Sequence, residues 1–192
     1  MQLKELPEVA EALKNDGVYN IEGHSHGIHE GKPFKTRSKK IELFNSRYEE
    51  NGIDPMPVYT PPQLVPQNHF RIVVGRNAYI TQSGSTNNAL LWELEQENCL
   101  WIHPVPAKRF GIQDGQQVEI ESKVGKGRLK ARVTEDTRPD TVYMDTGFGV
   151  ISKGLTKIFG KGACIADVLE DRADRISGNM AMHETFVAVK KV

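Results

Sequence analysis

Residues 75–88 carry the side chains best suited to hold an anionic ligand. The stretch Gly75-Arg-Asn-Ala-Tyr-Ile-Thr-Gln-Ser-Gly-Ser-Thr-Asn-Asn88 directly follows an apolar run, Phe70–Val74, that predicts a strand. Its hydroxyl and amide groups can form hydrogen bonds, its glycines permit close backbone approach, and Arg76 suits bidentate contact with a phosphate. A helix predicted at Ala89–Gln96 would add backbone N–H groups at its start. Two interpretations are equally supported, a diphosphate or nucleotide cradle and a solvated loop.

A second glycine-rich stretch, residues 147–162, fails the known phosphate-binding motifs. It has five glycines in sixteen residues. Five residues separate Gly154 from Gly160-Lys161 and no Ser or Thr follows the lysine, so the Walker pattern is absent, and no G-x-G-x-x-G fingerprint occurs. A long, flexible and mildly basic loop is predicted here, of a kind that is often functional in compact domains.

Histidine and cysteine positions give little support for a metal site or a catalytic site. His24, His26 and His29 lie within six residues, but no carboxylate or cysteine completes a known ligand spacing, so neutral loop histidines are the favoured interpretation. Cys99 and Cys164 form no CxxC pair, which argues against a zinc ribbon or an iron–sulfur cluster held by this chain alone. Buried thiols are favoured for them, with a disulfide left open. No serine–histidine–aspartate or paired-carboxylate set stands out.

The composition is that of a globular chain without net charge. Of 192 residues, 25 are Lys or Arg and 25 are Asp or Glu, so the basic excess typical of a nucleic-acid binder is absent. The longest apolar runs, such as Leu100–Ile102, are far shorter than the ~20 residues needed to span a bilayer. The N-terminus lacks the basic start and apolar stretch of an export signal. Because the chain has no basic excess, we expect no nucleic-acid partner.

The first 65 residues are predicted to be an extension that precedes the main domain. Apolar residues recur with helical spacing in residues 1–16 and 40–51, which predicts two short helices. Residues 17–38 are polar and glycine-rich, as is typical of a loop. Five prolines fall within residues 53–67. Because proline breaks helices and central strands, this part is predicted to be an extended connector.

Residues 66–192 show the pattern of short strands. Apolar and charged residues alternate over residues 118–121 and 128–133, and the turn sequence Asp114-Gly115 precedes the first of these strands. Further strands are predicted at Phe70–Val74, Leu100–His103, Thr141–Met144 and Thr185–Val189. Six or seven short strands with brief helices between them indicate a barrel closed on itself rather than a parallel α/β sheet.

The order of several short motifs resembles that of one known family. These motifs include Phe70-Arg-Ile-Val-Val-Gly-Arg76, Thr81-Gln-Ser83, Glu97-Asn98, Leu100-Trp-Ile-His-Pro104, Gly111-Ile-Gln-Asp-Gly-Gln-Gln-Val118 and His183-Glu-Thr-Phe-Val187. The chain resembles the C-terminal domain of molybdopterin oxidoreductases of the dimethyl sulfoxide reductase superfamily, and most of all their thiosulfate, polysulfide and tetrathionate reductase branch. The resemblance covers most of residues 36–192. It implies a mainly β fold with short helices, in which a six-stranded double-psi β-barrel over residues 66–192 follows a partly irregular N-terminal extension over residues 1–65.

The resemblance also implies a set of residues that bind molybdopterin guanine dinucleotide. Residues 75–88 would form the main contact with the cofactor, in which Thr81, Gln82 and Ser83 contact the pterin or the diphosphate. Members of the family often carry a histidine where this chain has Ile80. Asp167 and residues 183–185 would lie near a guanine or pterin edge. The whole implied set is Gly75, Arg76, Thr81, Gln82, Ser83, Thr86, Asn87, Asp167, His183, Glu184 and Thr185.

The resemblance implies no catalytic or metal-ligating residue in this chain, because the family's metal ligand and cluster cysteines belong to upstream domains. The implied function is to bind the cofactor for a molybdenum oxidoreductase that reduces thiosulfate, polysulfide or tetrathionate, and the chain alone is expected to be inactive and to retain no cofactor. The implied partners are the remaining domains of the catalytic subunit, an iron–sulfur electron-transfer subunit and a membrane anchor, and the parent enzyme is expected in the periplasm. The alternatives are a stand-alone double-psi barrel subunit or binding module that holds the cofactor in trans and, third, a hydrolase or protease of similar barrel fold.

Overall fold

The computed structural model describes residues 6–19 and 30–192. Contacts divide the chain into two compact units, Met1–Thr60 and Pro61–Val192. This division falls slightly before the boundary between residues 65 and 66 that the sequence predicts.

The first unit has two short helices in its described part, α1 over Pro7–Asn15 and α2 over Ser46–Glu50. α1 begins with a proline, which a helix tolerates in its first turn. The prediction that the second helix starts at residue 40 is wrong, because α2 begins only after Asn45. The backbone of Asn45 is extended and its side-chain Oδ1 accepts a hydrogen bond from the backbone N–H of Arg47 at 3.1 Å. Asn45 is therefore an N-cap that fixes where the helix starts.

The second unit, described over its whole length, consists of six strands, two short helices and two 3₁₀ turns. The 3₁₀ turns are Ile165–Asp167 and Met182–Glu184. The helices and strands, in chain order, are β1 (Phe70–Gly75), α3 (Ala89–Trp92), β2 (Cys99–Ile102), α4 (Pro104–Phe110), β3 (Gln117–Glu121), β4 (Lys126–Val133), β5 (Thr141–Asp145) and β6 (Phe186–Lys191).

The six strands close into a barrel in the order β1-β5-β2-β4-β3-β6, with β6 pairing back to β1. Two of the pairings are parallel, β1 with β5 and β2 with β4, and the other four are antiparallel. The predicted fold class, a mainly β chain with short helices and a closed six-stranded double-psi barrel, is confirmed.

Alternate residues of the strands point into the barrel and form its core. Leu100 and Ile102 on β2, Val118 and Ile120 on β3, and Val142 on β5 have no exposed surface. Burying one large aliphatic side chain stabilises a fold by roughly 1.5–3 kcal/mol relative to leaving it in water. The apolar residues of the alternating pattern therefore form the core that stabilises the barrel.

The outer face of β3 carries acidic side chains that pair with neighbouring strands. The carboxylate of Glu121 lies 2.7 Å from Nζ of Lys190 on β6 and 2.9 Å from Nζ of Lys126 on β4. Hydrogen bonds from these two lysines lower the pKa of Glu121 to about 2. Because these pairs face solvent, each contributes little to stability at neutral pH.

The parallel pairing of β1 with β5 determines where a site can form. Gly75, the last residue of β1, lies opposite Asp145, the last residue of β5. Because the two strands run in the same direction, the segments that follow them leave the barrel at the same end. We call residues 75–88 the clamp segment and residues 146–162 the wall segment.

Candidate functional site

A cavity of about 670 Å³ opens at this end of the barrel. Its lining comes from residues 74–76 and 82–83 at β1 and the clamp segment, from residues 146–152 of the wall segment, from residues 164–166, and from Met182. Small-molecule sites commonly have volumes of about 300–1,000 Å³. The cavity therefore has the size of a ligand site, and it joins the two glycine-rich stretches that the sequence singles out.

Two glycines let the wall segment approach neighbouring backbone closely. Gly147 has φ of +99° and Gly149 has φ of +75°, both in the region that favours glycine. A Cβ atom added to Gly147 would overlap the carbonyl oxygen of Gln82, and one added to Gly149 would overlap the backbone nitrogen of Cys164. These positions thus need glycine in order to bring the wall segment against the clamp segment and against residue 164.

The rest of the wall segment has no helix or strand, as predicted for a loop, and its backbone forms hydrogen bonds within the segment. The backbone N–H of Gly149 donates to the carbonyl of Lys161 at 3.0 Å, and that of Gly160 donates to the carbonyl of Val150 at 3.1 Å. The side chain of Ile158 is fully buried. The segment therefore lines one side of the cavity with residues 146–152 and anchors itself through Ile158.

Four members of the implied cofactor-binding set line the cavity, namely Gly75, Arg76, Gln82 and Ser83. Gln82 has a φ of +49°, which is uncommon for a residue other than glycine. Within the described part of the chain, the side chains of Arg76, Gln82 and Ser83 make no hydrogen bond or ion pair. Their guanidinium, amide and hydroxyl groups are therefore available to a ligand.

Three other members of the set hold the clamp segment in shape. The backbone N–H of Thr81 donates to Oγ of Ser85 at 2.7 Å, and buried Thr86 donates from Oγ1 to the carbonyl of Ser83 at 2.8 Å. Oδ1 of Asn87 accepts a hydrogen bond from the backbone N–H of Lys157 at 2.9 Å, which joins the clamp segment to the wall segment. None of these three residues lines the cavity.

The position at which relatives of the family often have histidine is apolar and buried here. The side chain of Ile80 is 3% exposed and lies next to Gly147. It supports the contact between the clamp and wall segments and offers no hydrogen bond to a ligand.

The start of α3 differs from the predicted anion-binding helix start. α3 is a single turn, Ala89–Trp92, where the sequence predicts a helix to Gln96. Its first free N–H group is already satisfied, since the backbone N–H of Leu90 donates to Oδ1 of Asn88 at 2.9 Å. The groups that face the cavity therefore come from the clamp segment and not from the helix.

The late members of the set, Asp167, His183, Glu184 and Thr185, do not line the cavity. Thr185 is fully buried, and its Oγ1 accepts a hydrogen bond from the backbone N–H of Glu170 at 3.0 Å. The carboxylate of Glu184 lies 2.8 Å from a guanidinium nitrogen of Arg71, which also donates to the carbonyl of His183 at 2.7 Å.

Apolar residues that the sequence analysis named in no individual role line the cavity where those late members do not. Met182, directly before His183, lines the cavity because residues before the antiparallel strand β6 run along β1 towards its end. Ala166 lines it directly before the exposed Asp167, and Ile151 lines it from the wall segment. Apolar residues outside the regular alternation carry no signal for a ligand in the sequence, which is why they were missed.

Comparison with known proteins identifies the family. Residues 70–186 match the molydopterin dinucleotide binding domain, over more than half of the chain and including both the clamp and wall segments. The chain belongs to this family. The resemblance seen in the motif order is thereby confirmed, and domains of this family bind a molybdopterin-type cofactor.

Similar proteins of known type are much longer than this domain. The molybdopterin-containing subunit of thiosulfate reductase from Salmonella typhimurium is 32% identical over 163 residues, which are 82% of this chain and 21% of that protein. Dimethyl sulfoxide reductase from Escherichia coli is 26% identical over 178 residues, 85% of this chain and 22% of that protein. The molybdopterin-containing subunit of arsenate respiratory reductase from Chrysiogenes arsenatis is 35% identical over 104 residues, 51% of this chain and 12% of that protein. The chain thus spans about a fifth or less of these relatives.

A solved structure shows the same fold. Acetylene hydratase from Pelobacter acetylenicus matches with a TM-score of 0.73 at 20% identity, over 91% of this chain and 26% of that one. This likeness supports the barrel and its connections.

The residues around the cavity fit a molybdopterin-type dinucleotide. Such a ligand has negatively charged phosphates and flat ring systems, and needs cationic and hydrogen-bonding groups next to an apolar surface. Arg76, Gln82 and Ser83 supply cationic and hydrogen-bonding groups that have no partner among the described residues. Ile151, which is 91% exposed, and Met182 supply the apolar surface.

A partly buried group of acidic side chains lies beside the point where the wall segment begins. The carboxylate of Asp145, which is 5% exposed, accepts a hydrogen bond from the hydroxyl of Tyr143 at 2.6 Å. Burial, and then this hydrogen bond, raise the pKa of the Tyr143 hydroxyl. Burial, and then the charge of Asp145, raise the pKa of Glu95. Glu95 accepts a hydrogen bond from the side chain of Asn77, so the cluster also holds the first part of the clamp segment.

The other candidate sites give no additional centre. His24, His26 and His29 lie outside the described residues, and in residues 6–19 and 30–192 no group of three or more His, Cys, Asp or Glu side chains could hold a metal ion. Cys99 and Cys164 are unpaired and half-buried, and Cys164 lines the cavity.

The helices of the same two described ranges are all too short or too polar to cross a bilayer.

Proposed function

We propose that this domain binds molybdopterin guanine dinucleotide in the cavity between the clamp and wall segments, as the C-terminal portion of a molybdenum oxidoreductase that acts on sulfur compounds such as thiosulfate, polysulfide or tetrathionate. The observation that supports the site is the set of three polar side chains without partners among the described residues, Arg76, Gln82 and Ser83, in a cavity that is also lined by apolar residues. The 32% identity to a thiosulfate reductase subunit supports the substrate class.

In this proposal Arg76 binds the diphosphate, because a planar guanidinium can donate two parallel hydrogen bonds to phosphate oxygens. Gln82 and Ser83 form hydrogen bonds with the diphosphate or with a ring edge. Ile151 and Met182 contact the face of a ring and exclude water from it.

The remaining members of the implied set act on the shape of the site. Thr81, Thr86 and Asn87 hold the clamp segment through the hydrogen bonds described above. His183, Glu184 and Thr185 fix the turn that presents Met182. Asp167 extends the exposed rim next to Ala166.

The cofactor, when bound, would supply the redox chemistry, and the residues of this chain would hold and orient it. The remaining domains of the catalytic subunit, an iron–sulfur electron-transfer subunit and a membrane anchor are the partners in this proposal, and the periplasm is the proposed location of the parent enzyme. On its own the chain is expected to show no reductase activity with thiosulfate, polysulfide or tetrathionate and a reduced dye. Turnover by the purified chain would contradict this.

A titration with GDP, which carries the guanine and a diphosphate, tests the proposed site. Amide resonances of Gly75, Gln82, Ser83 and residues 146–152 are expected to shift first, with GDP binding more tightly than ADP. Arg76→Ala is expected to weaken binding by about tenfold or more, the loss of one charge-assisted contact. Because Arg76 has no partner among the described residues, the Arg76→Ala variant should have the same melting temperature as the wild type.

Arg138→Ala is the matched control, since Arg138 is an exposed arginine next to the start of β5, at the other end of the barrel. It is expected to leave GDP binding unchanged. Equal loss of binding in both variants, or shifts that avoid the clamp and wall segments, would contradict the proposed site.

A further inference from the structure

We propose that Asn98 is a positioning residue for the cofactor cavity: its buried carboxamide fastens both ends of the wall segment, at Asp145 and at Ala163, to the start of β2. The part of this inference that concerns the ligand rests on the proposed function. The part that concerns the attachment of the wall segment rests only on the contacts of Asn98.

Asn98 uses its whole side chain to make these attachments. It has no exposed surface and immediately precedes β2. Its Nδ2 donates to the carbonyl of Asp145 at 2.7 Å and to the carbonyl of Ala163 at 3.0 Å. Its Oδ1 accepts a hydrogen bond from the backbone N–H of Ala163 at 2.9 Å. One side chain therefore holds the residue before the wall segment and the residue after it.

The backbone of the wall segment is shaped to fit this carboxamide. Gly162 has φ of +63°, and a Cβ atom at that position would overlap Oδ1 of Asn98 and lie 3.1 Å from its backbone nitrogen. The chain thus passes directly over the amide, at a distance that only glycine allows. A carboxylate of the same shape could accept from Ala163 but could not donate to either carbonyl.

Other hydrogen bonds of the wall segment do not replace this attachment at its far end. Those between Gly149 and Lys161 and between Val150 and Gly160 lie within the segment. At its near end the backbone N–H of Thr146 also donates to the carbonyl of Gly75 at 3.1 Å. The return of the segment to the barrel is therefore the part that depends on Asn98. Loss of its side chain would leave two buried carbonyls and one buried N–H without a partner, which favours local opening.

Hydrogen exchange of the full chain measures this opening directly. In Asn98→Ala, amides of residues 146–163 are expected to exchange about ten- to a hundredfold faster, as the loss of up to three hydrogen bonds implies, while strand amides stay protected. Asn98→Ser keeps a hydroxyl that can donate one hydrogen bond, so a smaller increase confined to the same residues is expected. This milder variant keeps the test decisive even if Asn98→Ala does not fold.

Val118→Ala is the matched control, because Val118 is equally buried but lies on β3, which pairs only with β4 and β6. It is expected to lower the melting temperature without speeding exchange in residues 146–163 relative to the strands. Uniformly faster exchange in the Asn98 variants, or exchange in the wall segment no faster than in Val118→Ala, would overturn the inference.

GDP binding adds the functional readout. At a temperature where all variants are folded, the Asn98 variants are expected to bind GDP at least fivefold more weakly than Val118→Ala, and equal affinities would overturn the positioning role. If the wild type fails to bind GDP, the proposed function fails, while the exchange experiment still decides whether Asn98 fastens the wall segment.

Discussion

Replacing Gly147 by alanine separates the close approach of the wall and clamp segments from ordinary backbone strain. Gly147 and Gly115 both have positive φ, +99° and +74°. Nothing lies within 4 Å of a Cβ atom added to Gly115, whereas one added to Gly147 would overlap the carbonyl oxygen of Gln82. Gly115→Ala is therefore a matched control that adds the same methyl group without the overlap.

The two substitutions are expected to differ in free energy of unfolding. A residue other than glycine in the left-handed region costs roughly 1–2 kcal/mol, and both variants carry this cost. Gly147→Ala must in addition move the backbone of the clamp segment, and forced overpacking costs about 1–3 kcal/mol more. We therefore expect a loss of about 1–2 kcal/mol in Gly115→Ala and about 2–5 kcal/mol in Gly147→Ala.

Urea unfolding followed by circular dichroism gives both values, and a GDP titration below the transition adds the effect on the site. Gly147→Ala is expected to weaken GDP binding because Gln82 is displaced, whereas Gly115→Ala is expected to bind GDP like the wild type. Equal losses of stability together with equal GDP affinities would refute the reasoning that Gly147 serves contact between the two segments.

Three further predictions concern charged side chains. Arg71→Met and Glu184→Gln are each expected to lower the free energy of unfolding by about 1–3 kcal/mol. Because the two side chains form an ion pair, a double-mutant cycle should show a coupling energy of at least about 0.5 kcal/mol. Additive effects of the two substitutions would contradict the pairing. The folded-state pKa of Glu121, about 2, lies below the ordinary value of 4.5, so its carboxylate stabilises the fold above about pH 5 and this stabilisation is lost as the pH falls towards 2. Glu121→Gln should therefore be only slightly less stable than the wild type at pH 7, because its ion pairs face solvent, and equal to it near pH 2, as measured by urea unfolding. Glu95 has the opposite sign, because its raised pKa means that ionisation opposes folding as the pH rises above 4.5. Glu95→Gln should gain stability relative to the wild type between pH 4 and 7, and a loss over that range would contradict the assigned burial.

The barrel could be predicted because its strands follow a local rule. In β3, Val118 and Ile120 point inward while Glu119 and Glu121 point outward, as the alternation in the sequence indicates. The turn at Asp114-Gly115 likewise follows from residue type, since Gly115 adopts positive φ there. Helix boundaries were less predictable. The N-cap Asn45 makes α2 begin later than the predicted residue 40, whereas α3 begins at Ala89 as predicted but ends early, at Trp92.

The sequence indicated the two glycine-rich stretches that line the candidate cavity, but not the direction of their side chains. Whether a threonine faces a ligand or the interior depends on distant partners. Thr86 and Thr185 are both buried and hydrogen-bonded within the domain, while Ser83 is exposed at the cavity. The parallel pairing of β1 with β5 joins strands far apart in the chain, and no local pattern reveals it. Asn98 belongs to the Glu97-Asn98 motif of the family resemblance, but no local pattern shows which distant backbone groups its side chain binds.

The strand order of the barrel also governs how it can fold during synthesis. Of its six pairings, only that of β3 with β4 joins strands that are neighbours in the chain. Folds dominated by such distant pairings are slow to form, because loop-closure entropy is lost before the contacts are gained. β1 has to wait for β5 and β6 to leave the ribosome, and until then its apolar side chains and unpaired backbone remain open to chaperones or to other chains. The finished barrel has no free strand edge, so its exposure to aggregation is concentrated in the interval before β6 is made.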